Sequence, residues 1–189
     1  NTLFAHKPII INFFIHKHFQ TQPSYEYHPL FREFLINAAR QTIPGEELQS
    51  VMRSAASMLE AGGQIEAAMD LLKEISGYEN MVQTIIEHAP GLIEQGRYRA
   101  LQDWFSSVPD EFIEENPWLL YWKGTSILPF DPINAKKIFE HAYENFKSVG
   151  DKEGTLLALS GIIQSIQLQF TSFKQYDPWI PVIENFFQT

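Results

Sequence analysis

His16 and His18 form a His-x-His pair, and on an extended strand both side chains point to one face, the arrangement of two imidazoles beginning a metal site. A metal centre needs a third donor and none stands nearby in the sequence, so a solvated strand face is the expectation. Together with His6, Lys7 and Lys17 the pair makes the N-terminal segment locally basic, a pattern that suits phosphate contacts but more often forms a charged, hydrated rim. Asp110, Glu111, Glu114 and Glu115 supply carboxylates for acid–base work. They flank a short helical stretch, however, and acids near a helix N-terminus stabilise it without reacting. Aromatic side chains gather around positions 104 to 130. Helical spacing assigns most of them to a core, while Trp104, Trp118, Tyr121 and Trp122 are the candidates for a face on which sugars, peptides or other amphipathic ligands stack. His28 stands at the corner of "YEYHPLFREFL" (25–35), where a histidine can order a strand-to-helix junction through backbone hydrogen bonds.

No G-x-x-x-x-G-K-[ST], strand-linked G-x-G-x-x-G, H-E-x-x-H or G-x-S-x-G occurs, so the sequence carries no recognisable phosphate cradle, zinc-protease helix or nucleophile elbow, and no enzyme activity is expected. The absence of cysteine removes disulfides and thiol chemistry and fits a reducing compartment. A net charge of −9 argues against nucleic acid as a partner, because phosphate binding needs clustered positive charge. The apolar run "PIIINFFI" (8–15) is under half of the ~20 residues that a membrane span requires, so no membrane is expected. The chain opens at Asn1 and stops at "FFQT", from which we expect a piece of a longer protein.

The elements that must position these residues follow from periodicity. Ile, Phe and Tyr between 8 and 27, interrupted by "QTQPS" (20–24), predict a β-hairpin of about 9–19 with 24–28. Pro29 suits the first turn of a helix, and Leu30, Phe31, Phe34, Leu35 and Ala38 then recur at helical spacing. Beyond residue 44 apolar stripes alternate with glycine punctuation at Gly62–Gly63, Gly96 and Gly150, which predicts long and short helices in succession. "GGQIEAAMDLL", "QGRYRALQDWF" and "FDPINAKKIFEHA" superimpose on Ala67, Ala100 and Ala135, each followed four positions later by Leu71, Trp104 or Phe139. A small residue and then a large one, at a period near 34, is the tetratricopeptide arrangement, in which the small side chain admits a neighbouring helix and the large one fills the groove. The fold class is therefore mainly α: a tetratricopeptide-like helical-hairpin superhelix preceded by a short β-hairpin. The domains are expected at 1–43 (hairpin and closing helix) and 44–189 (repeats).

"YEYHPLFREFL" and "PWLLYWKGTSILPFDPINAKKIFEHAYENFKSVGD" (117–151) resemble the signal-transducing NTPases with numerous domains, specifically the maltose-regulator-like transcription regulators of bacteria. There a Y-x-Y-H-x-L-F-R-x-F-L stretch closes a winged-helix subdomain and leads into tetratricopeptide-like repeats. The resemblance implies a cytoplasmic ATP-dependent regulator whose upstream P-loop module holds ADP or ATP. Residues 9–27 would be the wing, and His28 would contact the nucleotide's β-phosphate in the intact protein. Pro29 departs from the family, which often has aspartate there. Also implied are a small-molecule inducer or protein partner on the repeats, ligand-gated self-association, and DNA binding by a domain outside this chain. No cofactor is expected on this segment alone. A different reading of the same repeats is a free-standing scaffold for protein–protein contacts.

Overall fold

The computed structural model describes residues 15–19, 23–170 and 172–187. Expectations that rest on residues 9–14, on His6 and Lys7, and on the side chains of His16, Lys17 and His18 lie outside the described residues. The chain forms two compact units, 1–54 and 55–189, and it is mainly helical.

In the first unit, β1 (Ile15–Phe19) and β2 (Pro23–Tyr27) pair antiparallel, with Ile15 opposite Tyr27 and Phe19 opposite Pro23. Pro23 takes the first position of its strand, where a missing N–H is tolerated. Helix α1 (Pro29–Thr42) follows after a single residue. His28 is its N-cap, with φ −54° and ψ 134°, the extended conformation that a following proline imposes. Its carbonyl accepts from the N–H groups of Phe31 and Arg32, both at 2.9 Å. The apolar face of α1 is not covered: Leu30 is 72% and Phe34 64% exposed, and no residue of the helix is buried. An amphipathic pattern shows that a helix has an apolar face; it does not supply the layer to cover it.

Helix α2 (Gly45–Ala61) contains the division between the units, at Ser54 and Ala55. The second unit continues with α3 (Ile65–Glu74), α4 (Tyr78–Glu94), α5 (Tyr98–Phe105), α6 (Asp110–Glu114), α7 (Pro117–Ile127), α8 (Pro132–Val149) and α9 (Lys152–Leu168). A 3₁₀ turn (Phe173–Tyr176) and α10 (Ile180–Phe187) close the described chain. Helix α4 packs on α3, α5 and α7; α7 packs in turn on α5, α8 and α9. Several sequential neighbours, α3 with α4, α4 with α5, α7 with α8 and α8 with α9, are thus paired, and α4 also touches α7.

The turns are set by one motif. Gly63, Gly96 and Gly150 have φ of 76°, 71° and 75°. Behind each, the next N–H reaches back five residues: Gln64 to the Leu59 carbonyl, Arg97 to Leu92 and Asp151 to Phe146. That closure ties off the last carbonyls of a helix and needs a left-handed residue, which glycine adopts without a Cβ clash. Helices α7, α8 and α9 start on side-chain caps. The Asn116 side chain accepts from the N–H groups of Trp118 and Leu119, Asp131 from Asn134 and Asp151 from Gly154.

Burial corrects the repeat register. Ala67 is exposed and Ala100 only half-buried, whereas Ala68 and Leu101 are 0% exposed. The buried series is Ala68–Leu72–Ile75, Leu101–Phe105–Val108 and Ala135–Phe139–Ala142, and its first members lie 33 and 34 residues apart. The alanine-anchored register was one residue early in the first two units. Alanine is doubled at 67–68, and in the middle unit the tight position holds leucine, so a search for alanine lands beside the true position. Where Ala135 does mark it, glycines make the remaining room. A Cβ on Gly124 would come within 2.9 Å of the Phe139 ring, and one on Gly161 within 2.7 Å. Phe139 is therefore held between α7 and α9, and Phe146 lies against Gly154 in the same way.

Candidate functional site

Three helical surfaces bring together residues with chemical capacity. Helix α7 carries the aromatic group. The ring centroids of Trp118 and Tyr121 are 6.0 Å apart and those of Tyr121 and Trp122 4.8 Å apart, both edge-to-face, a favourable arrangement of ring quadrupoles. Trp118 also meets Phe146 at 5.0 Å and Tyr121 meets Phe139 at 5.8 Å, so one side of the group is anchored in the core. All three are half-buried. Burial pushes the Tyr121 phenol above its ordinary range, and a hydrogen bond with Thr125 partly offsets this. Trp104 does not join them: it is only 4% exposed and lines a separate cleft.

That cleft, of about 260 Å³, lies among α3, α4 and α5, with Ile65, Leu92 and Trp104 as apolar wall and Glu66, His88 and Arg97 as polar groups. Glu66 accepts a hydrogen bond from Arg97, which joins the first turn of α3 to the residue before α5. This hydrogen bond, more than any other contact, holds the Glu66 carboxyl below its ordinary value.

A wider opening, of about 530 Å³, sits between α5 and α7, lined by Phe105, Val108 and Ile127 with Gln102, Asp110 and Lys123. It falls in the volume range of small-molecule sites. Its rim is fixed: Gln102 donates to the Ser126 carbonyl at 2.7 Å, and Lys123 pairs with Asp110 at 3.5 Å. Asp110 and Glu111 occupy the first turn of α6, and Glu114 pairs with His141 at 3.1 Å. Two carboxylates of the acidic stretch, Asp110 and Glu114, are thus engaged in ion pairs with neighbouring helices. Buried hydroxyls are similarly occupied. Thr84, Ser126, Thr155 and Ser165 all donate to carbonyls of their own helices, and no buried side-chain polar atom among the described residues lacks a partner.

His28, in the first unit, is half-buried and makes no side-chain cap bond to α1. Its chain neighbours Tyr27 and Pro29 line a groove of about 340 Å³ with Arg32, Glu33, Asn37 and Arg40. The groove's two arginines were not singled out from the sequence; their eight-residue spacing, about two helical turns with Ile36 midway, was the available signal.

Among the described residues no helix is long and apolar enough to cross a membrane. No protein-family model, curated protein or solved structure matches the chain.

Proposed function

We propose that this chain is the non-catalytic sensing and interaction segment of a cytoplasmic, ATP-dependent bacterial transcription regulator of the maltose-regulator-like kind. The observation that carries the reading is the buried triad recurring at 33 and 34 residues, preceded by paired strands that end at the His28–Pro29 corner. Stacked helical pairs bury a continuous core and leave a face for a ligand. On this reading β1 and β2 are the wing and the helices from α2 onward form a superhelix. An inducer or protein partner would occupy the opening between α5 and α7 or the separate aromatic group of Trp118, Tyr121 and Trp122, with Trp104 serving as core. His28, beside a groove with two arginines, would report the β-phosphate of ADP held by the regulator's own nucleotide-binding module. Thermal-shift screening of the isolated chain tests the sensing role. A true inducer at a hundred times its dissociation constant raises stability by about 2.7 kcal/mol. ATP turnover by the purified chain would sink the proposal.

A second reading, a free-standing scaffold for another protein, is favoured by exposed aromatics: Phe130 is 64%, Phe173 85% and Phe170 90% exposed. The reading frame upstream separates the two. A nucleotide-binding motif there supports the regulator, and an initiator codon at the hairpin supports the scaffold.

A further inference from the structure

We infer that Glu60, Glu87 and His88 form a binding site for a divalent transition ion, with Zn²⁺ the best match. Glu60 lies in the last turn of α2, within the second unit, and Glu87 and His88 are adjacent on α4. Each offers one donor atom, and the donor atoms all lie within 4.8 Å of one another. Donors about 2.1 Å from a common ion stand roughly 3–4 Å apart, so small side-chain rotations close the set. The closest approach is already made, with His88 Nε2 3.2 Å from Glu60 Oε1.

Charge argues against a simple ion pair. Two carboxylates share the site with one imidazole, and no lysine or arginine among the described residues pairs with either carboxylate. Two carboxylates at one imidazole make an acidic cluster whose charge a divalent cation would offset. The donor types narrow the ion. An imidazole nitrogen with carboxylate oxygens suits Zn²⁺ and is a poor match for Mg²⁺, which prefers an all-oxygen shell. Position adds a consequence. His88 also lines the 260 Å³ cleft beside Trp104 and Arg97, so an ion held by it would stand next to a walled space. The ligands come from α2 and α4, far apart in sequence, so the ion would clamp the entry of the helical array.

The test uses the full chain carrying His16→Ala and His18→Ala, which removes the strand pair as a competing site. Calorimetric titration with Zn²⁺ after chelator treatment is expected to show one ion per chain and a raised Tm. In that background Glu60→Gln and His88→Ala should each weaken binding by at least about tenfold while leaving the circular dichroism of the metal-free protein unchanged. His141→Ala, which breaks the other histidine–glutamate pair, should leave the titration as it was. The inference is overturned by no Zn²⁺ binding up to about 1 mM, a concentration at which even weak sites fill. Equal binding in the Glu60 and His88 variants overturns it as well. So does an equal response to Mg²⁺, which would mark a diffuse acidic surface.

Discussion

At the scale of single residues, Ser76 places a side chain where the backbone favours none. Ser76 has φ 52°, and the N–H of Gly77 reaches back to the Leu72 carbonyl at 2.9 Å. This is the turn made by Gly63, Gly96 and Gly150, with serine in the left-handed position. Ser76→Gly is therefore expected to raise stability by roughly 0.5–1 kcal/mol, since relief of the Cβ strain exceeds the extra chain entropy lost. Urea denaturation measures it, and a lower midpoint would refute the account. Glu66 gives a pH-dependent case. Its folded-state pKa is depressed below 4.5, chiefly by the hydrogen bond from Arg97. The stabilisation is therefore complete above that value and disappears as pH falls through the lower folded one. Both side chains are substantially exposed, so Glu66→Gln should cost less than about 1 kcal/mol at pH 7. The difference between the two proteins should vanish on acidification, as followed by denaturation midpoints from pH 7 to 3.

At the scale of elements, glycines inside helices have opposite meanings at different positions. Gly161 in α9 faces the Phe139 ring, which is also blocked on its other side by Gly124. Gly161→Ala forces α7, α8 and α9 apart, and the overpacking is expected to cost about 1–3 kcal/mol, outweighing the better helix propensity of alanine. Gly91 in α4 has nothing within 4 Å of where a Cβ would stand. Gly91→Ala should instead stabilise by up to about 1 kcal/mol. Opposite signs in thermal denaturation check the pair, and the same sign would show that the wedge does not control helix spacing. An ion held by Glu60, Glu87 and His88 would likewise make the placement of α2 and α4 depend on one ligand.

At the scale of the molecule, protection should be uneven. Leu119, Phe139, Phe146 and Ile162, on α7, α8 and α9, are at most 1% exposed, whereas α1 has no buried residue. Hydrogen exchange is expected to be slowest in α7–α9, where opening exposes the most apolar surface, and fastest among the long helices in α1. Equal protection of α1 and α8 would contradict this. The aromatic group on α7 is anchored in this buried region through Phe139 and Phe146.

Element types and most boundaries were legible in the sequence because they depend on local chemistry. Pro29, Pro117 and Pro132 begin helices where their missing N–H has no cost, and Gly63, Gly96 and Gly150 end them where a left-handed residue is needed. The period near 34 was visible for the same reason. Its phase was not, because alanine at 67 and at 68 is equally small and only the helices packed against α3 choose between them. The burial of Trp104, the exposure of the α1 stripe and the meeting of Glu60 with Glu87 and His88 likewise depended on neighbours distant in sequence. Periodicity specifies that a helix has two faces; which face is covered, and by what, is decided by tertiary packing, where side-chain volume and chain connectivity act together.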